Sequence, residues 1–163
     1  MLRLSTIELA ENGLQFSAGH FTIFSADHRE NIHGHNYQLK AEITTIIDDE
    51  GLRFDYRHYI NKLRDLCKTL NSITLAAEKN KYTTITEDGT YYYIQFANEK
   101  LIFLKRDLKI LPIYNITIEE LAYWFLQQLL ADTFDLETNQ VQKLVVKISS
   151  GQGKWGSASW ERK

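Results

Sequence analysis

Two segments near the N-terminus alternate hydrophobic and polar residues with a period of two, which is typical of β-strands. The first spans about residues 13–24 and the second about residues 34–47, and a turn signal at residues 48–51 ends the pair. The pattern predicts a β-hairpin whose strands are joined by a long loop. Because long loops often carry function, this loop is a candidate for functional residues.

From Asp55 onward, apolar residues recur at spacings of three and four, which predicts an amphipathic helix. Its apolar positions are Tyr56, Tyr59, Ile60, Leu63, Leu66, Cys67 and Leu70. Cys67 lies on the apolar face, so we interpret it as a small buried residue rather than a nucleophile. A second helix is predicted to start at Asn115 or Thr117, after the chain's only proline, Pro112.

The remaining segments are predicted to be β-structure. Residues 81–104 are rich in aromatic and β-branched residues and predict an insertion of two or three strands between the helices. Two final strands are predicted at residues 143–149 and about 154–162, joined through residues 151–153. This order predicts an α+β fold, with an antiparallel four-stranded sheet, two helices on one face, and a single domain over residues 1–163.

Composition and charge exclude several classes of protein. The 163 residues are 44% hydrophobic, which is enough for a packed core, and the formal charge of -2 with a pI near 6.2 argues against nucleic acid or an anionic membrane as the main partner. The one cysteine cannot form an internal disulfide. No apolar run of about 18 residues and no leader pattern is present, so we expect a cytoplasmic protein.

Three histidines on the two N-terminal strands predict a metal site. His20 would share a face of the first strand with its even-numbered neighbours, and His33 and His35 would share a face of the second. If the strands pair, three imidazoles converge, and three neutral imidazoles with an open fourth position are typical of catalytic zinc. The alternative is that the His-Gly-His tripeptide forms a surface turn.

Several blocks of the chain resemble the 6-pyruvoyl tetrahydropterin synthase and 6-carboxytetrahydropterin synthase superfamily. They are Phe-Ser-Ala-Gly-His-Phe at residues 16–21, Glu-Asn-Ile-His-Gly-His-Asn-Tyr at 30–37, Phe-Asp-Tyr at 54–56, and the segment 111–122 with Thr-Ile-Glu-Glu-Leu-Ala. The resemblance implies a T-fold, a ββααββ unit that assembles as a trimer or a stacked hexamer with active sites between subunits. It also implies Zn²⁺ on His20, His33 and His35 and a dihydropterin substrate, 7,8-dihydroneopterin triphosphate.

The chain departs from the family pattern at the catalytic position. Family enzymes with a catalytic cysteine carry it shortly before His-Gly-His, where this chain has residues 27–32 and no thiol. Glu30 is similar to the glutamate of a variant class that forms 6-hydroxymethyl-7,8-dihydropterin. Partial burial could raise the pKa of this carboxyl enough for it to take and return a proton, so Glu30 is the candidate base. The alternative is a solvated loop glutamate; His28 is a second candidate for proton transfer.

Two further departures concern proton relay and pterin binding. The family's Asp-His pair after the first helix corresponds to Asn71-Ser72, which cannot relay a proton as a charged pair does. The family's pterin-anchoring glutamate corresponds to Ser149 or Ser150, whose hydroxyls accept fewer hydrogen bonds than a carboxylate. Glu119, with Thr117, could anchor the ring instead; helix capping is the equal alternative.

These observations predict a zinc-dependent lyase that processes a dihydropterin and forms a homo-oligomer. One alternative is 6-carboxytetrahydropterin synthesis on the queuosine route, which usually requires the cysteine that is missing here. The other is a non-catalytic, zinc-stabilised oligomer that binds a pterin or a purine-like ligand.

Overall fold

The computed structural model describes residues 2–163, which form ten strands, three α-helices and one short 3-10 helix at Lys105–Asp107. The strands are β1 Arg3–Leu9, β2 Gln15–His20, β3 His33–Ile47, β4 Ile73–Ala77, β5 Thr83–Glu87, β6 Tyr91–Phe96, β7 Glu99–Leu104, β8 Leu108–Leu111, β9 Val141–Gly151 and β10 Lys154–Glu161. The helices are α1 Arg57–Leu70, α2 Ile118–Leu130 and α3 Thr133–Thr138.

The central strand of the main sheet is the 15-residue β3, which has partner strands on both sides. On one side β2 pairs with its first half and β1 with its second half, both antiparallel, and on the other side β9 and then β10 follow, also antiparallel. Strands β4 and β8 extend the sheet beyond β2 in parallel orientation. The sheet order is therefore β10-β9-β3-β2-β4-β8, with β1 beside β3.

The α+β class is confirmed, but the predicted four-stranded antiparallel sheet is wrong. The main sheet has seven strands and is mixed. Strands β4 and β8 are short parallel strands of five and four residues, and their burial lacks the alternation that marks an antiparallel strand with one solvated face. Strand β1 and the short helix α3 were not predicted from the sequence. The predicted insertion is confirmed as a separate three-stranded antiparallel sheet in the order β5-β6-β7, called the insertion sheet below.

The hydrophobic core fills the space between the main sheet and the two long helices. Alternate residues of β3 face it, and Tyr37, Leu39, Ala41 and Ile43 are all at most 2% exposed. Helix α1 contributes Leu63 and Cys67, whose burial is as predicted, and α2 contributes a buried stripe to the same cluster.

Helix α2 begins where the sequence indicated. Thr117 is its N-cap residue, and the Thr117 hydroxyl accepts a hydrogen bond from the backbone N–H of Glu120. The Glu120 carboxylate in turn accepts from the N–H of Tyr114. The first turn of α2 crosses β10 so closely that a Cβ on Gly156 would lie 2.7 Å from the backbone N of Glu119. Among residues 2–163, no helix has the length and hydrophobicity needed to cross a bilayer.

Candidate metal centre

The antiparallel pairing of β2 with β3 brings together the three histidines that were predicted to bind a metal. His20 is paired with His33, and Ala18 with His35, so all three imidazoles project from the core-facing side of the sheet. One nitrogen of each ring lies within 4.8 Å of the others, and Nε2 of His33 is 3.0 Å from Nε2 of His35. Nitrogens bound at about 2.0–2.1 Å to one tetrahedral ion lie about 3.3–3.4 Å apart, so small adjustments would let these rings share a metal ion.

Two backbone carbonyls set the tautomers of two of these histidines. Nδ1 of His20 lies 3.0 Å from the carbonyl oxygen of Ile116, and Nδ1 of His33 lies 2.8 Å from that of Asn31. A carbonyl only accepts hydrogen bonds, so each Nδ1 carries the proton and each Nε2 keeps a free lone pair. Nε2 of His20 is buried and has no hydrogen-bond partner among the described residues. A buried lone pair without a hydrogen-bond donor, in a group of three histidines, is what a metal ligand requires, so Nε2 of His20 is suited to bind a metal ion.

The electrostatics of the group also favour neutral imidazoles. Burial lowers the pKa of His20, the bond to the Ile116 carbonyl opposes this, and the two neighbouring histidines lower the pKa further. Burial and the nearby His33 also lower the pKa of His35. Since neutral imidazole is the form that binds a metal, these shifts favour the metal-binding form of His20 and His35.

Glu30 lies in the loop between β2 and β3, within electrostatic range of His20 and His33. Its Oε2 accepts a hydrogen bond of 2.9 Å from the backbone N–H of Thr22, and its own N–H donates to the Thr22 carbonyl at 2.8 Å. Burial raises the pKa of the Glu30 carboxyl, but the hydrogen bonds from Thr22 and the nearby histidines outweigh burial, and the pKa lies below its usual value. The expected upward shift is therefore wrong, because Thr22 stabilises the carboxylate form.

The loop is a tight extension of the hairpin rather than a free segment. An isolated bridge joins Ile23 to Arg29, and the carbonyl of His28 accepts from two backbone N–H groups at the other end of the turn. The side chain of Asn115 accepts from the N–H of Ile23 at 3.1 Å and donates to its carbonyl at 2.7 Å. Asn115 and the adjacent Ile116 thus hold both the loop and His20, a role that was not predicted from the sequence. The only local signal was an asparagine before a predicted helix.

The other predicted site residues lie in different settings. His28 is exposed at the tip of the loop, with its ring 5.0 Å from that of Phe24, and no described contact joins it to the other histidines. Glu119 is exposed in the first turn of α2. Ser149 is buried, and its hydroxyl is bonded to the backbone of Gly151, whereas Ser150 is half-buried.

A polar cavity of about 490 Å³ opens beside His35 and could hold an organic ligand. Asn71 accepts from the N–H of Ser17, so its amide joins α1 to β2, while Ser72 lines the cavity. The full lining is Ser17, Ala18, Gly19, Gly34, His35, Asn36, Ser72, Ile73, Thr74 and Asp107.

Comparisons with known proteins agree with this geometry. Residues 10–159 match the family model described as 6-pyruvoyl tetrahydropterin synthase. A protein of Pyrococcus horikoshii with the provisional name 6-carboxy-5,6,7,8-tetrahydropterin synthase is 26% identical over 82% of this chain and 78% of its own length. A protein of the same provisional name from Pyrococcus abyssi is 29% identical over 71% of this chain and 69% of its own.

A solved structure shares the fold over nearly the whole chain. It is the 6-pyruvoyltetrahydropterin synthase of Plasmodium vivax, in a form whose catalytic glutamate is replaced by alanine. Its TM-score is 0.91 with 24% identity, and the match covers 98% of this chain and 99% of that one.

Proposed function

Because the chain belongs to the 6-pyruvoyl tetrahydropterin synthase family, we propose that it is a zinc-dependent lyase that acts on 7,8-dihydroneopterin triphosphate. The observation that carries the proposal is a hydrogen-bonded carboxylate within electrostatic range of three converging imidazoles. Glu30 supplies the carboxylate, and it occupies the loop in which other family members carry a cysteine. A glutamate is also the catalytic residue named for the Plasmodium vivax enzyme, which supports this assignment.

His20, His33 and His35 are the residues that would hold the metal. Bound zinc would supply a Lewis acid that lowers the pKa of substrate hydroxyl groups. The two carbonyls of Ile116 and Asn31 hold the imidazoles in the tautomer that leaves Nε2 free. Zinc is our choice of metal because three histidines with an open position are the usual donor set of catalytic zinc.

Glu30 acts first as a base, because its lowered pKa keeps it ionised at neutral pH. In side-chain cleavage, Glu30 takes the proton of the hydroxyl on the second side-chain carbon, and that carbon becomes an aldehyde as its bond to the first carbon breaks. The electron pair stays on the first carbon, conjugated with the ring, and Glu30 returns the proton there. The products are 6-hydroxymethyl-7,8-dihydropterin and a phosphorylated aldehyde, with no change in overall oxidation state.

For the pterin ring, we propose that Glu119 is the anchor. Its carboxylate is exposed at the start of α2 and can accept two N–H bonds from the amidine edge of the ring. Thr117 supports this position through its N-cap bond rather than by direct contact. Ser150 is a better candidate than Ser149 for a weaker contact with the ring, because the Ser149 hydroxyl is buried and already bonded.

The test is a steady-state assay with dihydroneopterin triphosphate, in which Glu30→Gln is compared with the wild type. We expect kcat to fall by roughly 10²–10⁴-fold, the usual contribution of a general base, while zinc content stays the same. Glu78→Gln, which changes an exposed glutamate in another part of the chain, is the matched control. Unchanged turnover in Glu30→Gln would remove Glu30 as the base.

A second candidate function is 6-carboxytetrahydropterin synthesis, which the provisional names of the Pyrococcus relatives favour. Product analysis separates the two reactions, since one yields a hydroxymethyl group on the ring and the other a carboxylate. No turnover on any dihydropterin, with zinc bound, would favour the third possibility, a binding protein for a pterin or a purine-like ligand.

We also propose a homo-oligomer built on a trimer. Large apolar side chains on and just before β1 are exposed in the isolated chain. Leu2 is 72% exposed and Leu4 is 65% exposed. Exposed apolar surface of this kind is typical of a protein interface. Native mass spectrometry would give the number of subunits, and a monomer would contradict the proposal.

A further inference from the structure

We propose that the insertion sheet is a positioning device for the catalytic base, and that it acts through an ion pair between Glu99 and Arg29. This inference rests on the proposed function, since it assigns a role to residues that hold Glu30. Neither residue touches the histidines or the cavity beside His35 in the described contacts. Both are therefore positioning residues rather than catalytic residues.

Arg29 makes contacts in three directions. Its Nε donates to Oε2 of Glu99 at 2.7 Å, and Nη2 lies 2.5 Å from the same oxygen. Its Nη1 donates to the backbone carbonyl of Glu30 at 2.8 Å. The guanidinium also lies over the ring of Phe21, 5.6 Å from the centroid. Arg29 thus joins the insertion sheet directly to the peptide group that carries the proposed base.

The pair is sheltered enough to hold a defined geometry. The Arg29 side chain is 16% exposed, whereas that of Glu99 is 56% exposed. A guanidinium whose donors are bonded to two acceptors and whose plane lies over an aromatic ring loses little further freedom when the substrate binds. An exposed ion pair between two flexible side chains would contribute little to positioning, and this pair differs because the Arg29 side chain is mostly shielded from solvent.

An apolar cluster places Glu99 opposite Arg29. Phe21 and Ile23 of the loop pack with Ile94 and Phe96 of the insertion sheet in a buried cluster separate from the main core. Phe96 pairs directly with Glu99 across the tight turn between β6 and β7. The cluster therefore fixes the distance between the loop and this turn, and the ion pair fixes the orientation of residues 29 and 30.

Two residues, Thr22 and Arg29, define the position of Glu30 through three hydrogen bonds. Thr22 bonds to its carboxylate and to its backbone N–H, and Arg29 bonds to its carbonyl. If Glu99 loses its charge, the guanidinium is held less tightly, and the carbonyl of Glu30 loses a fixed donor. A shift of about 1 Å in a catalytic group can cost about 10²-fold in rate.

The experiment compares Glu99→Gln with Glu87→Gln in the full chain loaded with zinc. Glu87 is a matched control, since it lies on the same sheet, is also 56% exposed, and pairs with Lys105 at 2.9 Å away from the loop. We expect Glu99→Gln to lower kcat at least tenfold with KM within about twofold, because the base moves but substrate contacts remain. Glu87→Gln should behave as the wild type does.

Amide hydrogen exchange gives a readout that is independent of turnover. In Glu99→Gln the N–H groups of Thr22 and Glu30 should exchange roughly tenfold faster, while those of β9 keep their protection. Arg29→Lys keeps the charge but loses the planar fork, so it should show the same defect. The double variant Arg29→Lys with Glu99→Gln should be no worse than either single variant, since both break one unit.

The outcomes separate this inference from the proposed function. If the wild type turns over substrate, and Glu99→Gln has the same kcat and the same amide exchange rates as Glu87→Gln, the positioning role is overturned and the proposed function stands. If the wild type turns over no dihydropterin, the proposed function fails, and the exchange measurement still decides whether Glu99 orders the loop. Additive losses in the double variant would contradict a shared unit.

Discussion

Replacing Gly156 by alanine would place a methyl group against the first turn of α2. The new Cβ would lie 2.7 Å from the backbone N of Glu119, 2.7 Å from the carbonyl carbon of Ile118 and 2.9 Å from its Cγ1. Ordinary contact begins at 3.4 Å, so the helix and the strand must separate by about 0.7 Å. Two of the three atoms belong to the helix backbone, which cannot rotate away as a side chain can.

The cost of this substitution follows from overpacking. We expect a loss of about 1–3 kcal/mol in the free energy of unfolding. For a chain of this size, each kcal/mol lowers Tm by about 2–4 °C, so Tm should fall by about 2–12 °C. The φ angle of Gly156 is not in the left-handed region, so the effect is steric rather than conformational.

Gly151→Ala is the matched control, because it lies near the same hairpin turn with nothing within 4 Å of its Cβ position and without a positive φ. Thermal unfolding followed by circular dichroism would measure both variants. We expect Gly151→Ala to be within about 0.5 kcal/mol of the wild type. If both variants unfold at the same temperature, the close crossing of α2 over β10 is not as described, and the reasoning is refuted.

The same crossing links the fold to the metal centre. The segment before α2 carries the carbonyl of Ile116, which holds Nδ1 of His20. Displacing the first turn should therefore weaken metal affinity in Gly156→Ala, by about 10-fold or more, as loss of an outer-sphere hydrogen bond does. Competition with a chromophoric chelator would measure this, and Gly151→Ala should keep the wild-type affinity.

Three other predictions are independent of this one. Zinc at about 100 times its Kd should stabilise the folded chain by about 2.7 kcal/mol and so raise its Tm. A chelator should reverse this rise, and an equal rise in Tm for His20→Gln would contradict the site. Burial raises the pKa of the Cys67 thiol to about 12, so iodoacetamide should label it only after unfolding, and rapid labelling of the native chain would oppose its placement. Hydrogen bonds from the Tyr93 hydroxyl and two backbone N–H groups lower the pKa of Asp88 to about 2. This folded-state pKa lies below the unfolded value, so Asp88 stabilises the fold above about pH 4, and this contribution is lost as the pH falls toward 2. NMR titration of Asp88 would test the pKa, and acid unfolding of Asp88→Asn would test the contribution to stability.

The paired strands and the histidine group were predictable because their signals are local. Alternation along β2 and β3 sets which side chains share a face, and adjacent pairing then brings His20 to His33 and His35. The helical spacing of α1, the cap at Thr117 and the turn-bounded insertion are also local patterns. They depend on residues within a few positions of one another.

Tertiary structure decided the features that depend on distant residues. The parallel strands β4 and β8 join the main sheet through contacts that no periodicity marks, and the Ile116 carbonyl meets His20 across 96 positions of the chain. The direction of the pKa shift of Glu30 depends on a backbone N–H of Thr22, and a sequence carries no sign of where a backbone donor will point.

The difference between the features predicted from the sequence and those decided by the tertiary structure has one physical cause. Hydrophobic periodicity is a property of neighbouring residues, so the sequence alone predicted β2, β3, β9, β10, the insertion sheet, the two long helices and the three candidate metal ligands. Hydrogen bonds and ion pairs between remote segments, such as Arg29 with Glu99 across 70 positions, depend on how those elements pack. Packing therefore decided how the histidine group and the proposed base are held.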